Sequence, residues 1–289
     1  MVISGLGVLP FRTIAIVGVG LIGGSIGLAA RQRKLARRVV GIGRRQASLD
    51  RAAALGAIDE GTTDIEAGVA DAELAILATP VGVMVELART VLGALPRGSL
   101  LTDVGSTKAK LVRALEELAG DGWRYIGSHP MAGSEKRGVD EATPELFDGA
   151  LCFLTPTPRT DPRALTALTE LWQATGARVR VVDPNEHDRL VAYASHLPHL
   201  VAAAIVNVTV PDSMSCTGSG FRDTTRIASG APRMWAEVCL QNRERILDAL
   251  SHFDREIRTL RRILTEGEEA ELLGWLESAK AIRDHHFRS

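Results

Sequence analysis

The sequence has few cysteines, no excess of either charge and no recognisable export or membrane segment. Its three cysteines, Cys152, Cys216 and Cys239, are far apart and form no Cys-x-x-Cys pair, which fits a reducing compartment and gives no zinc motif. The 34 basic and 35 acidic residues leave a formal net charge of −1, so no bulk field draws nucleic acid or an anionic membrane. Residues 1–11 lack a basic start and a long apolar stretch. We therefore expect a cytoplasmic protein that has neither nucleic acid nor membrane as a partner.

The patterns of hydrolytic and metal chemistry are also missing. The sequence has no Ser-His-Asp arrangement with a nucleophile elbow, no His-x-x-x-His pair and no cysteine cluster. It therefore predicts neither a hydrolase nor a metal site.

The first part of the chain alternates short apolar runs with helical stretches, from Thr13 to about Pro184. This alternation is typical of a parallel sheet covered by helices, and continuous apolar runs such as 14–17 and 74–77 are typical of strands buried on both faces. The predicted strands are 14–17, 39–42, 74–77, 100–102, 125–126, 152–154 and 179–182.

After Pro184 the strand signals stop. Three- and four-residue apolar spacing predicts helices over 186–208, 224–229, 235–264 and 268–284, and the Ser, Gly, Pro and Thr residues of 211–220 predict a loop. We predict an α/β, Rossmann-type doubly wound domain over residues 11–184 and a helical domain over residues 185–289.

A glycine-rich segment, Gly18-Val-Gly20-Leu-Ile-Gly23, directly follows the first predicted strand. Glycines at this spacing permit a tight turn and a close approach of the backbone to a pyrophosphate, which the N-terminus of the next helix can receive. The competing interpretation is a glycine-rich structural turn. The predicted dinucleotide site consists of Gly18, Gly20, Leu21, Ile22, Gly23, Thr79 and Pro80.

The second predicted strand ends in Gly43-Arg44-Arg45, where an enzyme that prefers NAD usually carries an acidic residue. Two guanidinium groups are suited to hold the 2′-phosphate of NADP through charge-assisted hydrogen bonds. We therefore predict NADP as the cofactor, with NAD as the alternative. The competing interpretation is that Arg44 and Arg45 merely open a solvated helix.

Four further segments carry candidate site residues. The first two follow predicted strands, at the carboxyl ends where doubly wound folds bind ligands, and the last two lie in the helical part. They read Asp-Val-Gly-Ser-Thr-Lys at 103–108, His-Pro-Met-Ala-Gly-Ser-Glu at 129–135, Ser-His-Leu-Pro-His at 195–199 and Gly-Phe-Arg-Asp-Thr-Thr-Arg at 220–226. Together they resemble the prephenate and arogenate dehydrogenase family, from Thr13 to about residue 250. The resemblance implies a Rossmann-type first domain and an all-α second domain through which two subunits dimerise.

The resemblance also implies the substrate, a cyclohexadienol that bears carboxylates and a ring hydroxyl. Such a substrate loses hydride to the nicotinamide and carbon dioxide from the ring, and aromatisation supplies most of the driving force. The protein must hold the anion, align the hydride and accept the hydroxyl proton.

Matching to the family assigns a role to each candidate residue. His129 hydrogen-bonds the ring hydroxyl and is suited to take its proton, Ser106 links the hydroxyl to the nicotinamide, and His196 lies on the substrate side. Arg226 pairs with a substrate carboxylate, Asp223 orients that guanidinium, and Glu135 lies near the mouth of the pocket. The remaining candidates are given structural roles: His187 caps the helix after Pro184, His199 is a core or a helix-face histidine, and Trp235 packs.

Several alternatives remain open at this stage. The substrate is prephenate or arogenate, with prephenate named first. Another reductase with the same two-domain plan, such as a β-hydroxyacid dehydrogenase, would normally place a catalytic Lys or Asp deep in a long helix, which the histidine segments argue against. A cofactor-binding sensor without turnover is the alternative from a different class of protein.

Overall fold

An eight-stranded sheet lies within residues 11–181 of the computed structural model, which describes residues 10–133 and 138–287. In chain order the strands are β1 Phe11–Val17, β2 Ala36–Ile42, β3 Glu60–Thr62, β4 Leu74–Leu77, β5 Leu100–Asp103, β6 Arg124–Pro130, β7 Leu151–Thr155 and β8 Arg178–Val181. Their order across the sheet is β3-β2-β1-β4-β5-β6-β7-β8. Strands β1 to β6 are parallel to one another, as in a doubly wound fold.

Helices cover both faces of this sheet. They are α1 Leu21–Gln32, α2 Gln46–Ala54, α3 Ile65–Val69, α4 Val81–Ala94, α5 Ala109–Ala119 and α6 Pro162–Ala174. Buried side chains of α1, α2 and α6 form one apolar core against the sheet, and those of α3, α4 and α5 form a second core on the other face. Strands β1 and β4 are buried on both faces, which is why residues 14–17 and 74–77 are continuous apolar runs.

The sheet differs from the sequence prediction at two places. All seven predicted strands are present, but β3 is an additional three-residue edge strand. Strand β7 runs antiparallel to β6, whereas the alternating pattern predicted a parallel sheet. In the described part of the connection between them, residues 131–133 and 138–150, the only helical element is a 3₁₀ turn, Val139–Glu141. Without a crossover helix, the chain returns in the opposite direction.

The second part of the chain is helical, as predicted. Its elements are α7 Pro184–Val191, a π-helical turn Ala192–His196, α8 Leu197–Val208, α9 Pro211–Met214, α10 Ser219–Thr225, a 3₁₀ turn Arg226–Ser229, α11 Pro232–Gln241, α12 Arg243–Glu266 and α13 Glu269–Phe287. The loop predicted over 211–220 is wrong in part, because α9 and the start of α10 lie within it. The helix predicted over 235–264 is interrupted at Asn242, whose side chain is used in a buried network described below.

The helical run from Pro184 to Val208 is long and apolar enough, by length and composition alone, to cross a membrane. A core helix of a soluble protein has the same properties. This run carries three buried polar side chains that are hydrogen-bonded within the chain, those of His187, Asp188 and His196. Such a network suits a helix in a protein interior, where buried polar groups must be paired.

Candidate active site

The predicted cofactor residues and two of the predicted catalytic residues, Ser106 and His129, lie at the carboxyl ends of the parallel strands. Gly18 follows β1, Thr79 follows β4, Ser106 follows β5, and His129 lies at the end of β6. The helices after β1 and β4 pack on opposite faces of the sheet, so a crevice opens between the carboxyl ends of these neighbouring strands. Ligands bind at this switch point in doubly wound folds.

The turn after β1 requires glycine at two positions. Gly18 has φ +102°, and a Cβ atom there would lie 2.5 Å from the carbonyl oxygen of Ala78. A Cβ atom at Gly23 would lie 2.1 Å from the carbonyl oxygen of Gly18. At Gly20, by contrast, no atom lies within 4 Å of such a Cβ. The backbone is therefore tightly packed behind the turn and open in front of it, as an approaching pyrophosphate requires.

Two further observations fit a nicotinamide dinucleotide at this turn. Helix α1 begins at Leu21 and no side chain caps it, so the N–H groups of its first turn point to the crevice at the positive end of the helix. The hydroxyl oxygen of Thr79 is buried and has no hydrogen-bond partner among the described residues. Because a buried polar group without a partner is costly, this hydroxyl suits a contact with a bound ligand.

Arg44 and Arg45 lie directly beyond β2, at the place where the adenosine ribose binds in such folds. Arg45 precedes helix α2, and both side chains are exposed. Neither forms an ion pair with a residue that the structure describes. Their positive charge is therefore available to a ligand at the end of β2.

His129 is buried at the end of β6, and its Nδ1 atom lies 2.9 Å from Nε2 of His187 in α7. Burial holds the pKa of His129 well below the ordinary imidazole value; the positive charge that His187 carries when it is protonated and the Lys108 ammonium act in the same direction. The ring is therefore neutral at physiological pH, which is the form that can accept a proton.

Ser106 lies half-buried in the loop between β5 and α5, and a buried ion pair fixes this loop. The Lys108 ammonium donates to Asp103 Oδ1 at 2.7 Å and to the carbonyl oxygen of Gly105 at 2.6 Å. The Asp103 carboxylate also accepts from Tyr125 Oη at 2.8 Å. Burial raises the pKa of Tyr125 well above its usual value, and the adjacent Asp103 carboxylate adds to the shift, so the phenol stays protonated and donates.

His196 lies in the π-helical turn and is almost fully buried. Its Nδ1 atom lies 3.1 Å from Nδ2 of Asn242, which also donates to the carbonyl oxygen of Asp188 at 2.8 Å. Burial lowers the pKa of His196 to about 4. π-helical turns within α-helices are often found at functional sites.

An aromatic stack lies beside this histidine. The His199 and Trp235 rings are stacked, with centroids 3.5 Å apart, and Trp235 also meets His196 edge-on. Gly230 follows the 3₁₀ turn that begins with Arg226, and a Cβ atom there would lie 2.6 Å from Trp235 Nε1. Arg226 is therefore held on a turn that packs against the stack and α8.

The structure places the predicted residues in two groups. His129 and His196 are buried and Ser106 is half-buried, whereas Asp223 in α10 and Arg226 directly after it are exposed. Glu135 lies outside the described residues. Among the described residues, no group of three or more His, Cys, Asp or Glu side chains is placed to hold a metal ion.

Sequence reasoning missed several members of the site. The interpretation of His187 as a helix cap is wrong, because the Asp183 carboxylate caps α7 by accepting from the N–H groups of Asn185 and Glu186. His187 instead contacts His129, and Asp188 and Asn242 belong to the same network. The contact of His129 with α7 joins residues 58 positions apart, and no local sequence signal reports it.

Family models match nearly the whole chain. Residues 26–181 match the prephenate dehydrogenase nucleotide-binding domain, and residues 183–278 match the prephenate dehydrogenase dimerization domain. The first match includes Thr79, Ser106 and His129 and begins just after the glycine turn, and the second includes His187 and His196.

Individual relatives agree with these matches. The chain is 37% identical to a prephenate dehydrogenase of Bacillus subtilis, over 94% of this chain and 75% of that relative. A crystal structure of prephenate dehydrogenase from A. aeolicus in complex with hydroxyphenyl propionate and NAD+ is 34% identical with a TM-score of 0.90, over 96% of this chain and 99% of that one. The crystal structure of Synechocystis arogenate dehydrogenase is 29% identical with a TM-score of 0.83, over 95% of this chain and all of that one.

The fold and the crevice define a nicotinamide-dependent dehydrogenase with a Rossmann-type domain followed by a helical one. A buried neutral histidine lies at the end of β6, in the same parallel sheet whose strands β1 and β4 lead into the cofactor loops. The chain belongs to the prephenate dehydrogenase family.

Proposed function

We propose that this protein oxidises and decarboxylates prephenate to 4-hydroxyphenylpyruvate, a step towards tyrosine. The observation that carries the proposal is His129, a buried neutral imidazole at the end of β6, which neighbours the strand that leads into the Ser106 loop and belongs to the same parallel sheet as the glycine turn. Family membership supports the same reaction.

The catalytic residues have separate tasks in this reaction. The nicotinamide supplies, when bound, the acceptor for the hydride that leaves the ring. His129 accepts the proton of the ring hydroxyl as the carbonyl forms, and burial keeps the imidazole neutral until then. Ser106, on the loop fixed by Lys108, positions the hydroxyl relative to the cofactor.

The substrate carboxylates are held by the helical part of the chain. His196 lines the inner side of the pocket, and Arg226 at its rim pairs with a carboxylate in the fork geometry of a guanidinium. Asp223, three residues before Arg226, orients it, and Glu135 is assigned to the mouth of the pocket by its match to the family alone. The exposure of Arg226 and Asp223 suits a rim position, where a charged substrate first meets the protein.

We assign NADP as the preferred cofactor. Arg44 and Arg45 are exposed beyond β2, no acidic residue stands there, and the 2′-phosphate of NADP carries the charge that pairs with guanidinium groups. Gly18, Gly20, Leu21, Ile22 and Gly23 form the pyrophosphate turn, and Thr79 and Pro80 border it from β4. NAD is the alternative, since the A. aeolicus relative was solved with NAD+.

We further assign the chain to two domains, residues 11–184 and 185–289, and to a homodimer in the cytoplasm. The last strand ends at Val181 and α7 begins at Pro184, which supports the boundary. A dimer is supported by the dimerization-domain match and by large apolar side chains exposed on the helical part, among them Val208, Leu240, Leu247 and Ile282. Free thiols at all three cysteines fit a reducing compartment.

Arogenate is the second candidate substrate, and it differs from prephenate by an amino group in place of the keto group. The similarity to Synechocystis arogenate dehydrogenase favours it, as does the arginine pair beyond β2.

The test is a crossed assay of purified protein with prephenate or arogenate and NAD or NADP, which follows the absorbance of reduced cofactor. The product is identified as 4-hydroxyphenylpyruvate or tyrosine. We expect the fastest turnover with prephenate and NADP. No cofactor reduction in any of the four combinations would contradict the proposed function.

A further inference from the structure

The catalytic histidine, His129, is the first of three hydrogen-bonded side chains. The other two, His187 and Asp188, have no role in the proposed reaction as described above. His129 Nδ1 lies 2.9 Å from His187 Nε2, and His187 Nδ1 lies 2.9 Å from Asp188 Oδ1. All three residues are buried. The contact joins β6 of the sheet to α7 of the helical part.

The last of these three side chains, Asp188, is anchored on a helix N-terminus. Asp188 Oδ1 accepts from the backbone N–H of Lys108 at 2.7 Å, and Oδ2 accepts from the N–H of Ala109 at 2.9 Å. Burial alone would raise the pKa of Asp188, but the hydrogen bonds from His187 and from these N–H groups outweigh it and hold the pKa below its usual range. The carboxylate is therefore ionised and fixed in place.

An ionised carboxylate can only accept hydrogen bonds, and this decides the protonation of both imidazoles. His187 must donate from Nδ1 to Asp188. Burial lowers the pKa of His187, so its ring is neutral and its Nε2 atom carries a lone pair. His129 must then donate from Nδ1 to His187, which leaves the lone pair of His129 on Nε2.

We infer that His187 and Asp188 are positioning residues that fix His129 in the tautomer with a basic Nε2 atom and stabilise the ring once it is protonated. The inference rests on the proposed function, in which His129 takes the proton of the ring hydroxyl. In that step the O–H bond of the substrate breaks, an N–H bond forms at His129 Nε2, and the carbonyl forms on the ring. The imidazolium then donates from Nδ1 towards His187 and, through it, towards the Asp188 carboxylate.

Other charged and titratable groups lie around the two rings. Lys108, in the β5–α5 loop, disfavours a positive charge on both rings. His196, in the π-helical turn, disfavours a positive charge on His129. The Asp188 and Asp103 carboxylates favour a charge on His187. Cys152 in β7 is protonated, because burial raises the pKa of its thiol. Among the described residues, the groups whose charge acts on the two rings are Lys108, His196, Asp103 and Asp188.

The kinetic test compares His187→Leu, which removes both hydrogen bonds, with His187→Gln, whose amide oxygen can still accept from His129. We expect His187→Leu to lower kcat about 100-fold with KM within about threefold, since a positioned base contributes about 10² to 10⁴ in rate. The acid limb of the kcat/KM profile should move to lower pH, because the protonated ring loses its stabilising partner. The kcat of His187→Gln should be at least about tenfold higher than that of His187→Leu.

A matched control uses another hydrogen-bonded histidine, His252, whose Nδ1 atom lies 2.6 Å from Tyr193 Oη on the helical part. His252→Leu should leave kcat and the pH profile unchanged. Melting temperature and cofactor affinity are measured for every variant. A His187→Leu protein that folds and keeps wild-type kcat would overturn the inference.

A second measurement does not depend on turnover or on the variants folding. Nitrogen-15 NMR of the wild-type protein, with histidines labelled, reports which ring nitrogen of His129 carries the proton. We expect the proton on Nδ1, and a proton on Nε2 would overturn the inference. If the wild type oxidises neither prephenate nor arogenate, the proposed function fails, while this spectrum still decides the tautomer.

Discussion

Lys108 and Asp103 form an ion pair in which both side chains are completely buried, with Nζ 2.7 Å from Oδ1. The same ammonium holds the carbonyl oxygen of Gly105, and the same carboxylate accepts from the Gly105 N–H at 2.7 Å. The ion pair is therefore hydrogen-bonded to both the N–H and the carbonyl oxygen of Gly105, which fixes the backbone of the loop that carries Ser106. Breaking it leaves an uncompensated charge in the interior, whereas a surface pair loses little when broken.

Replacing Lys108 by Met should therefore destabilise the protein strongly. We expect the free energy of unfolding to fall by about 3 to 5 kcal/mol, because Asp103 keeps a buried charge without its counterion. Urea unfolding measures the change. Arg12→Met, which breaks the exposed pair with Glu73, is the control and should cost less than about 1 kcal/mol. Equal losses in the two variants would contradict this account of the loop.

Thr79→Val tests whether the buried hydroxyl of Thr79 serves the cofactor. Because Oγ1 has no partner in the described structure, its removal should leave the cofactor-free protein as stable as wild type or about 1 kcal/mol more stable. Cofactor affinity should fall about five- to tenfold, the effect of one lost hydrogen bond. Calorimetry measures both quantities.

Thr102→Val is the matched control for this change, because the Thr102 hydroxyl donates to the Ile126 carbonyl oxygen at 2.7 Å. It should destabilise the protein by about 1 to 3 kcal/mol, since it leaves a buried acceptor unpaired. A loss of stability in Thr79→Val as large as that in Thr102→Val would count against a cofactor role for Thr79.

The arginines beyond β2 should decide between the two cofactors. Arg44→Ala and Arg45→Ala should each raise KM for NADP about tenfold or more, since a hydrogen bond to a charged group is worth about 1.5 to 3 kcal/mol, and leave KM for NAD within about twofold. Arg37→Ala, an exposed arginine at the opposite end of β2, is the control. If KM for both cofactors changes equally, the arginines do not read the 2′-phosphate.

Stability should depend on pH through the buried histidines. The pKa of His196 is about 4 in the folded protein, against about 6.5 for an unperturbed imidazole. The unfolded state therefore binds the extra proton first, so the stability is complete above pH 6.5 and falls as the pH drops towards 4. His196 alone accounts for roughly 3 kcal/mol of this loss, at about 1.4 kcal/mol per pKa unit. His129 shifts in the same direction.

Urea unfolding at a series of pH values between 7.5 and 4.5 measures this dependence. His196→Asn should flatten the curve, because asparagine does not titrate. A wild-type curve that is flat between pH 6.5 and 4.5 would contradict the buried neutral state of these histidines.

The parts of the fold that the sequence predicted are those with strong local signals. The run before Gly18 is apolar throughout because β1 is buried on both faces, and the glycine turn needs glycine for steric reasons that act within a few residues. Strand β3, Glu60–Thr62, was missed because three residues at a sheet edge show no periodicity. The antiparallel direction of β7 depends on the path of the chain between β6 and β7, which no local sequence pattern predicts.

The sequence predicted site residues that lie within recognisable segments, but it did not predict contacts between distant segments. Matching to a family motif identified His129, but its partner His187 comes from a helix that the sequence pattern places in another domain. The predicted helix over 235–264 runs through Asn242, because nothing in the neighbouring sequence indicates that its amide reaches His196. Such contacts are set by packing between distant elements, so they appear only in three dimensions.

The central claim, that His129 is the base in a nicotinamide-dependent oxidation of prephenate, is tested most directly by His129→Asn. Turnover is measured with the substrate and cofactor that the wild type uses best, and cofactor affinity is measured in parallel. We expect kcat to fall by about 10² to 10⁴, with the cofactor dissociation constant within about twofold of wild type. Turnover within a few-fold of wild type in a folded, cofactor-binding variant would contradict the claim.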